Sequence, residues 1–181
     1  FAAARRRWPG QWREFAPVPL RLASWVGYDM DGRTDITWAT SLRYRLSEKD
    51  ERLAGYAAAL EQVAPDLAEQ LSRAARFAAE QARVFAADLS DPAALAAADN
   101  AFTAAHPDKL TRRAATIAML EQRAATADDA AAEALLRVVA AMRADGLGMG
   151  CIHFRVNASQ LQNAIRRRID PTGKLDLASQ A

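Results

Sequence analysis

Between residues 35 and 146 the apolar positions recur at helical spacing. Ile36, Ala39, Leu42, Leu46, Leu53 and Leu60 form one such series. Thr34 and Asp35 precede it as N-cap candidates, so the pattern predicts a helix to about Val63, with room for a break at Ser47–Asp50. Pro65 occupies a position where proline opens a helix, and Leu67, Leu71, Phe77 and Val84 continue the periodicity. Ser90-Asp91-Pro92 predicts the start of a third helix, ending near His106. Pro107-Asp108 predicts a fourth, carrying Leu110, Ile117 and Leu120. Thr126, Asp128 and Asp129 predict a fifth, with acids at its positive end. Leu135, Leu136, Val139 and Met142 are its apolar stripe, and Gly146 stops it. No fixed-period repeat runs through the series.

The two ends follow a period of two instead. Residues 18–34 read as a strand followed by an Asp- and Gly-rich turn. In Pro19–Val26, Leu20, Leu22, Ser24 and Val26 would face one way, and Arg21, Ala23 and Trp25 the other. Residues 149–157 read as a second strand. There Ile152, Phe154 and Val156 share one face, and Cys151, His153, Arg155 and Asn157 the opposite one. A last helix, 158–169, follows with Asn157 as its cap, and Asp170-Pro171-Thr172-Gly173 makes a turn. The predicted fold is mainly α with a few short β-strands, in one segment spanning 1–181. A strand with one apolar face and one His/Arg face suits a barrel, apolar side on the surrounding helices and polar side in the barrel mouth. Two strands make neither a barrel nor a stable sheet. This, with Phe1 in place of an initiator Met, leads us to expect a longer polypeptide of which these residues are part.

Composition narrows the class. Roughly a quarter of the chain is alanine, the best helix former. The net charge is +2 and 51% of residues are hydrophobic, which excludes a disordered charged tail. No apolar run is long enough to span a bilayer, and no leader pattern opens the chain, so no membrane partner and a cytoplasmic location are expected. One cysteine, Cys151, excludes a disulfide framework or a multi-cysteine metal site. Charge is uneven along the chain. Residues 1–45 carry eight Arg against four acids, residues 46–146 eleven bases against sixteen acids, and residues 147–181 five bases against two acids. Two readings follow: a solvated surface of mixed sign, or basic ends that meet around an anionic ligand. The bases are scattered and no stripe interleaves them with aromatics, so no nucleic-acid partner is expected.

Candidate chemistry sits at the strand ends. In Ser24–Thr34, S-W-V-G-Y-D-M-D-G-R-T, a strand runs into a tight turn and then a helix. Asp29 and Asp31 could staple that turn, orient an arginine or meet a metal; a calcium loop lacks its third oxygen ligand, because Arg33 holds that place. Arg155 offers a guanidinium fork matched to phosphate oxygens, or an ion pair with Asp29 or Asp31. His153 on the same face is either a hydrogen-bonded interior histidine or an acid–base group. Trp25 serves packing or ligand contact. Cys151 has no activating neighbour beyond His153. Arg5–Arg7 read as a solvated start, Arg166–Arg168 as helix C-terminal cations and His106 as a helix-end residue.

The stretch Pro19–Thr34, P-L-R-L-A-S-W-V-G-Y-D-M-D-G-R-T, resembles the phosphoenolpyruvate carboxylase segment R-F-x-S-W-M-G-G-D-R-D-G-N-P. Ile36-Thr37-Trp38-Ala39-Thr40 is similar to the helix start that follows it there. Gly148–Ser159, G-M-G-C-I-H-F-R-V-N-A-S, resembles the family's strand ending in D-I-R-Q-x-S. Motif order and the helical spacer agree as well. Tyr28, Met30, Arg33-Thr34, Phe154 and Val156 depart from the family pattern, as in a divergent bacterial-type member. The resemblance implies a helix-rich enzyme built on an α/β-barrel, a carbon–carbon lyase of carbon fixation that adds bicarbonate to phosphoenolpyruvate and yields oxaloacetate and phosphate. It implies that Arg155, Asp29 and Asp31 are catalytic and that Arg155, Trp25 and His153 bind substrate. It also implies Mg²⁺ or Mn²⁺ held by ligands outside this segment, and a homo-oligomer at full length. The family's T-A-H-P-T motif has only an imitation at Thr103–Pro107, so the isolated chain is expected to be inactive. The alternative is a non-catalytic helical interaction module derived from the same family.

Overall fold

Seven helices and two short strands make up the structure, a computed structural model that describes residues 1–18, 20–25, 27, 33, 35–152 and 158–169. In chain order they are α1 (Ala2–Arg7), a single tight helical turn (Trp12–Glu14), β1 (Ala23–Ser24), α2 (Trp38–Leu60), α3 (Pro65–Val84), α4 (Pro92–Thr103), α5 (Ala114–Thr126), α6 (Asp129–Asp145), β2 (Cys151–Ile152) and α7 (Ala158–Ile169). The protein is mainly helical, as the periodicity predicts.

The core is built from two helical hairpins, α2 with α3 and α5 with α6, and α6 also packs on α2. Leu53, Leu60, Leu71, Leu120, Leu135, Val139 and Met142 are its largest fully buried side chains. Alanine does more than favour helix here. Ala57, Ala64, Ala68, Ala74, Ala75 and Ala78 are all buried, so small side chains let α2 and α3 approach closely along their length. Trp12, 2% exposed, enters the same core from the N-terminal turn, a burial that no periodicity around it announced. Arg13 beside it donates to the carbonyls of Ala124 and Ala127 and pairs with Asp129 at 2.9 Å, tying the N-terminal segment to the α5–α6 junction. A second, smaller cluster of Leu46, Ala82 and Phe85 lies beneath Leu42, Leu89 and Phe102.

Several boundaries differ from the sequence expectation. The cap of α2 is Thr37, whose side chain accepts from the Thr40 backbone N–H at 3.2 Å, while Asp35 pairs with Arg33 instead. Thr34 lies outside the described residues. There is no break at Ser47–Asp50, because Leu46 and Leu53 fall on one buried face and packing on α3 carries the helix through. α2 ends at Leu60 and α4 at Thr103, each a few residues early. The helix expected at Pro107–Asp108 begins only at Ala114. Tertiary bonds hold the intervening chain: Asp108 pairs with Arg73 at 3.1 Å, and the Leu110 carbonyl accepts from Lys49. The fifth predicted start holds. Asp128 caps α6 by accepting the N–H groups of Ala130 and Ala131, and Gly146 ends it at φ +74°. Arg5–Arg7 form the last turn of α1, with Arg6 and Arg7 exposed, and Arg166–Arg168 end α7.

Both strands begin later than the alternation suggests, β1 at Ala23 and β2 at Cys151. β1 and β2 pair in parallel, Ala23 opposite Cys151 and Ser24 opposite Ile152. Leu20 and Leu22, which the alternation puts on one face, are 73% and 65% exposed. Pro19 and Val26, and residues 153–157 of the second strand, lie outside the described residues, as do the predicted cap Asn157 and the turn at 170–173. No described helix is long and apolar enough to cross a membrane.

Candidate functional site

The parallel pairing decides where the chemistry-bearing segments start. Parallel neighbours need a long crossover, and here α2–α6 provide it. The chain therefore leaves β1 at Trp25 and leaves β2 after Ile152 at the same end of the pair. Two motifs separated by more than a hundred residues in sequence become adjacent at their points of departure.

Both strands are anchored to α2 and its surroundings. Gly27 sits at φ +78°, and a Cβ there would lie 2.6 Å from Cδ2 of Tyr44, so the close approach requires glycine. Its carbonyl accepts from the buried Ser41 hydroxyl at 2.6 Å. On the other strand, Gly150 at φ +92° brings its Cα against the Leu22 carbonyl, which accepts the Cys151 N–H at 2.8 Å. The approach to β2 is held by Tyr56, donating to the Gly146 carbonyl at 2.9 Å, and by Arg52, donating to the Gly148 carbonyl at 3.2 Å and pairing with Asp145 at 3.1 Å. Burial pushes the Tyr56 phenol up to about 12, with Asp145 adding to the rise and Arg52 and Arg113 opposing it.

A cavity of about 490 Å³ opens at the end of β1. Trp25, Arg33, Asp35, Thr40, Arg43 and Tyr44 line it. Arg33 and Asp35 form an ion pair, and hydrogen bonding from Arg33 lowers the Asp35 carboxyl below its ordinary value. The guanidinium of Arg43 lies over the Tyr44 ring, 5.3 Å from its centroid. Arg43 is half-buried and makes no hydrogen bond or ion pair with the described residues.

Among the predicted site residues, Trp25 lines this cavity and is 52% exposed, a position for contact rather than core packing. Asp29, Asp31, His153 and Arg155 lie outside the described residues. Cys151 is exposed and outside any disulfide. His106 stands past the end of α4, stacked on Phe77 at 4.4 Å, with its Nδ1 accepting the Asp108 N–H at 3.2 Å. That arrangement is structural. Arg43, Tyr44 and Thr40 were missed by sequence reasoning. Their signal is helical spacing in the first turns of α2: Thr40, Arg43 and Tyr44 fall on one face, the face that meets the end of β1.

No protein-family model, curated protein or solved structure matches this chain. The site is therefore read from its own residues. The described residues include no group of three or more His, Cys, Asp or Glu side chains placed to hold a metal ion, and so do not fit a divalent-metal site.

Proposed function

We propose that this chain is part of a phosphoenolpyruvate carboxylase-like enzyme, built on an α/β-barrel, that joins bicarbonate and phosphoenolpyruvate into oxaloacetate and phosphate. One observation supports it above the others. The two segments that resemble the family's motifs run through two adjacent parallel strands, with Ser24 opposite Ile152, and so share the C-terminal end of that pair. In α/β barrels that end of the strands carries the active site, because the loops leaving it converge on one mouth.

In this reading Arg155 holds the phosphate and Asp29 and Asp31 organise the barrel mouth, with Trp25 and His153 against the substrate. The reaction passes through carboxyphosphate and an enolate, both anions, so fixed guanidinium groups at the strand ends stabilise what develops. Mg²⁺ or Mn²⁺ would be held by carboxylates of the longer, cytoplasmic, homo-oligomeric enzyme.

The test is bicarbonate-dependent oxaloacetate formation, measured in the source cells' polypeptide that contains these residues and in the 181-residue chain. Activity in a longer polypeptide that falls with Arg155→Ala supports the proposal. A polypeptide of 19.7 kDa without phosphoenolpyruvate binding refutes it. The second reading, a helical interaction module, is favoured by a separate apolar hollow of about 450 Å³ walled by Trp38, Leu42, Phe85, Leu95 and Phe102. It would lead if Arg155→Ala left phosphoenolpyruvate binding unchanged.

A further inference from the structure

We propose that the apolar hollow between α4 and the α2–α3 hairpin is a binding site for a small aromatic amine, its ring system among Trp38, Phe85 and Phe102 and its ammonium at Asp99. The proposal is independent of the carboxylase reading. It places a small ligand where the interaction-module reading would seat a protein segment, and the experiment separates the two.

The hollow exists because α4 is held at its ends rather than along its length. Ala98 is its one buried residue. Asp91 caps its start by accepting the Ala94 N–H at 3.0 Å. Lys109 holds its end by donating to the carbonyls of Phe102 and Ala104. A space of about 450 Å³ is left, walled by Trp38 and Leu42 of α2, Phe85 at the end of α3, and Leu95 and Phe102 of α4. That volume and that apolar wall suit a small organic ligand. Trp38 and Leu95 are both exposed, so a ligand that covers them removes apolar surface from water.

Ring geometry gives the class of ligand body. Phe85 is buried, and its ring centroid lies 6.1 Å from Trp38 and 5.4 Å from Phe102, nearly perpendicular to both. Three rings from three parts of the chain thus offer faces and edges at crossed angles, which a flat aromatic ligand meets by stacking and edge-to-face contact. Charge gives the second part. Asp99 lies one turn on from Leu95, on the same face of α4, and is the charged side chain of the described lining. Its carboxylate makes no hydrogen bond or ion pair with the described residues; the Thr103 hydroxyl bonds its backbone carbonyl instead. Lys109 lies over the Phe102 ring, 5.5 Å from its centroid, but its ammonium is held by carbonyls and not by Asp99. A cation on the ligand supplies the partner that Asp99 lacks, and an anion there would be repelled. Asp99 is exposed, so this pair sets selectivity more than affinity.

The experiment is a two-dimensional NMR titration of the 181-residue chain with protonated tryptamine, neutral 3-methylindole and anionic indole-3-propionate. Tryptamine should saturate the site at about millimolar concentration, with shifts centred on the residues that wall the hollow. It should bind about two- to fivefold more tightly than 3-methylindole, and indole-3-propionate more weakly than either. Asp99→Asn should erase the advantage of tryptamine over 3-methylindole. Glu61→Gln, at an exposed acid just past the far end of α2, should keep it. Ala96→Phe and Ala96→Met fill the hollow from an exposed position on α4 and should weaken both indoles about tenfold or more. Two fillers are used so that a folding defect in one, seen by far-UV circular dichroism, leaves the other as the test. Absence of saturable tryptamine binding, shifts centred away from the hollow, or equal loss in Asp99→Asn and Glu61→Gln overturns the proposal. A dimer of the parent chain in sedimentation equilibrium that Ala96→Phe dissociates, with no tryptamine binding, also overturns it; that result seats a second copy in the hollow and favours the interaction-module reading.

Discussion

Replacing Tyr56 by Phe should reverse its effect on stability as the solution is made alkaline. The Tyr56 ring is 3% exposed, and its hydroxyl donates to the Gly146 carbonyl at 2.9 Å, where α6 ends and the chain turns toward β2. Phe keeps the ring and removes the bond, so near neutral pH the variant should be less stable by about 1 kcal/mol. The phenol ionises near 10 in the unfolded chain, but burial pushes it up to about 12 in the folded one. Because the folded value is the higher, the contribution is complete below the unfolded value and is lost as pH rises through the folded one. At about pH 11 the parent has lost about 1.4 kcal/mol of that contribution while Tyr56→Phe has lost none. The parent should then be the less stable of the two, by about 0.4 kcal/mol. Urea unfolding followed by far-UV circular dichroism at both pH values measures this, and other titrating groups cancel in the comparison. An unchanged gap between the two proteins from neutral to alkaline pH would refute the reasoning.

Gly27→Ala should cost about 2–3 kcal/mol, combining a left-handed backbone with a Cβ that meets Tyr44. In a Tyr44→Ala background only the backbone part, about 1 kcal/mol, should remain; an equal cost in both backgrounds by urea unfolding would show that the Tyr44 contact is not the cause. Asp66 hydrogen-bonds the Arg123 guanidinium, which lowers its carboxyl to about 2. Its contribution is thus present above the ordinary carboxylate value and fades as pH falls toward that lowered one. A carboxyl titration by NMR should show the low midpoint in the parent and the ordinary one in Arg123→Met. Both groups are exposed, so thermal stability near neutral pH should hardly change.

Local chemistry that acts within a turn or a helix was legible in the chain. Asp91 and Asp128 cap helices where the sequence placed them, Gly146 stops α6, and the leucine series of α2 faces the core. Such signals depend on neighbours within about four residues, so sequence carries them whole. Arg43 was not legible, since nothing on its own helix distinguishes a solvated arginine from one that walls a cavity.

What only tertiary structure decided involves partners far apart in the chain. The ten residues before α5 carry helix-compatible composition, yet Arg73 and Lys49 reach across from other helices and hold them open. The burial of Trp12 depends on a pocket formed by the α5–α6 hairpin and its neighbours. The parallel register of Ala23 with Cys151 depends on the crossover length of five packed helices, and it alone brings the two motif-bearing ends together. By itself the sequence determined which segments become helices and where many of them start and stop, because hydrogen bonds and side-chain spacing are local. It did not determine which strand ends meet or which arginine is left without a carboxylate, because those depend on how distant surfaces pack to exclude water.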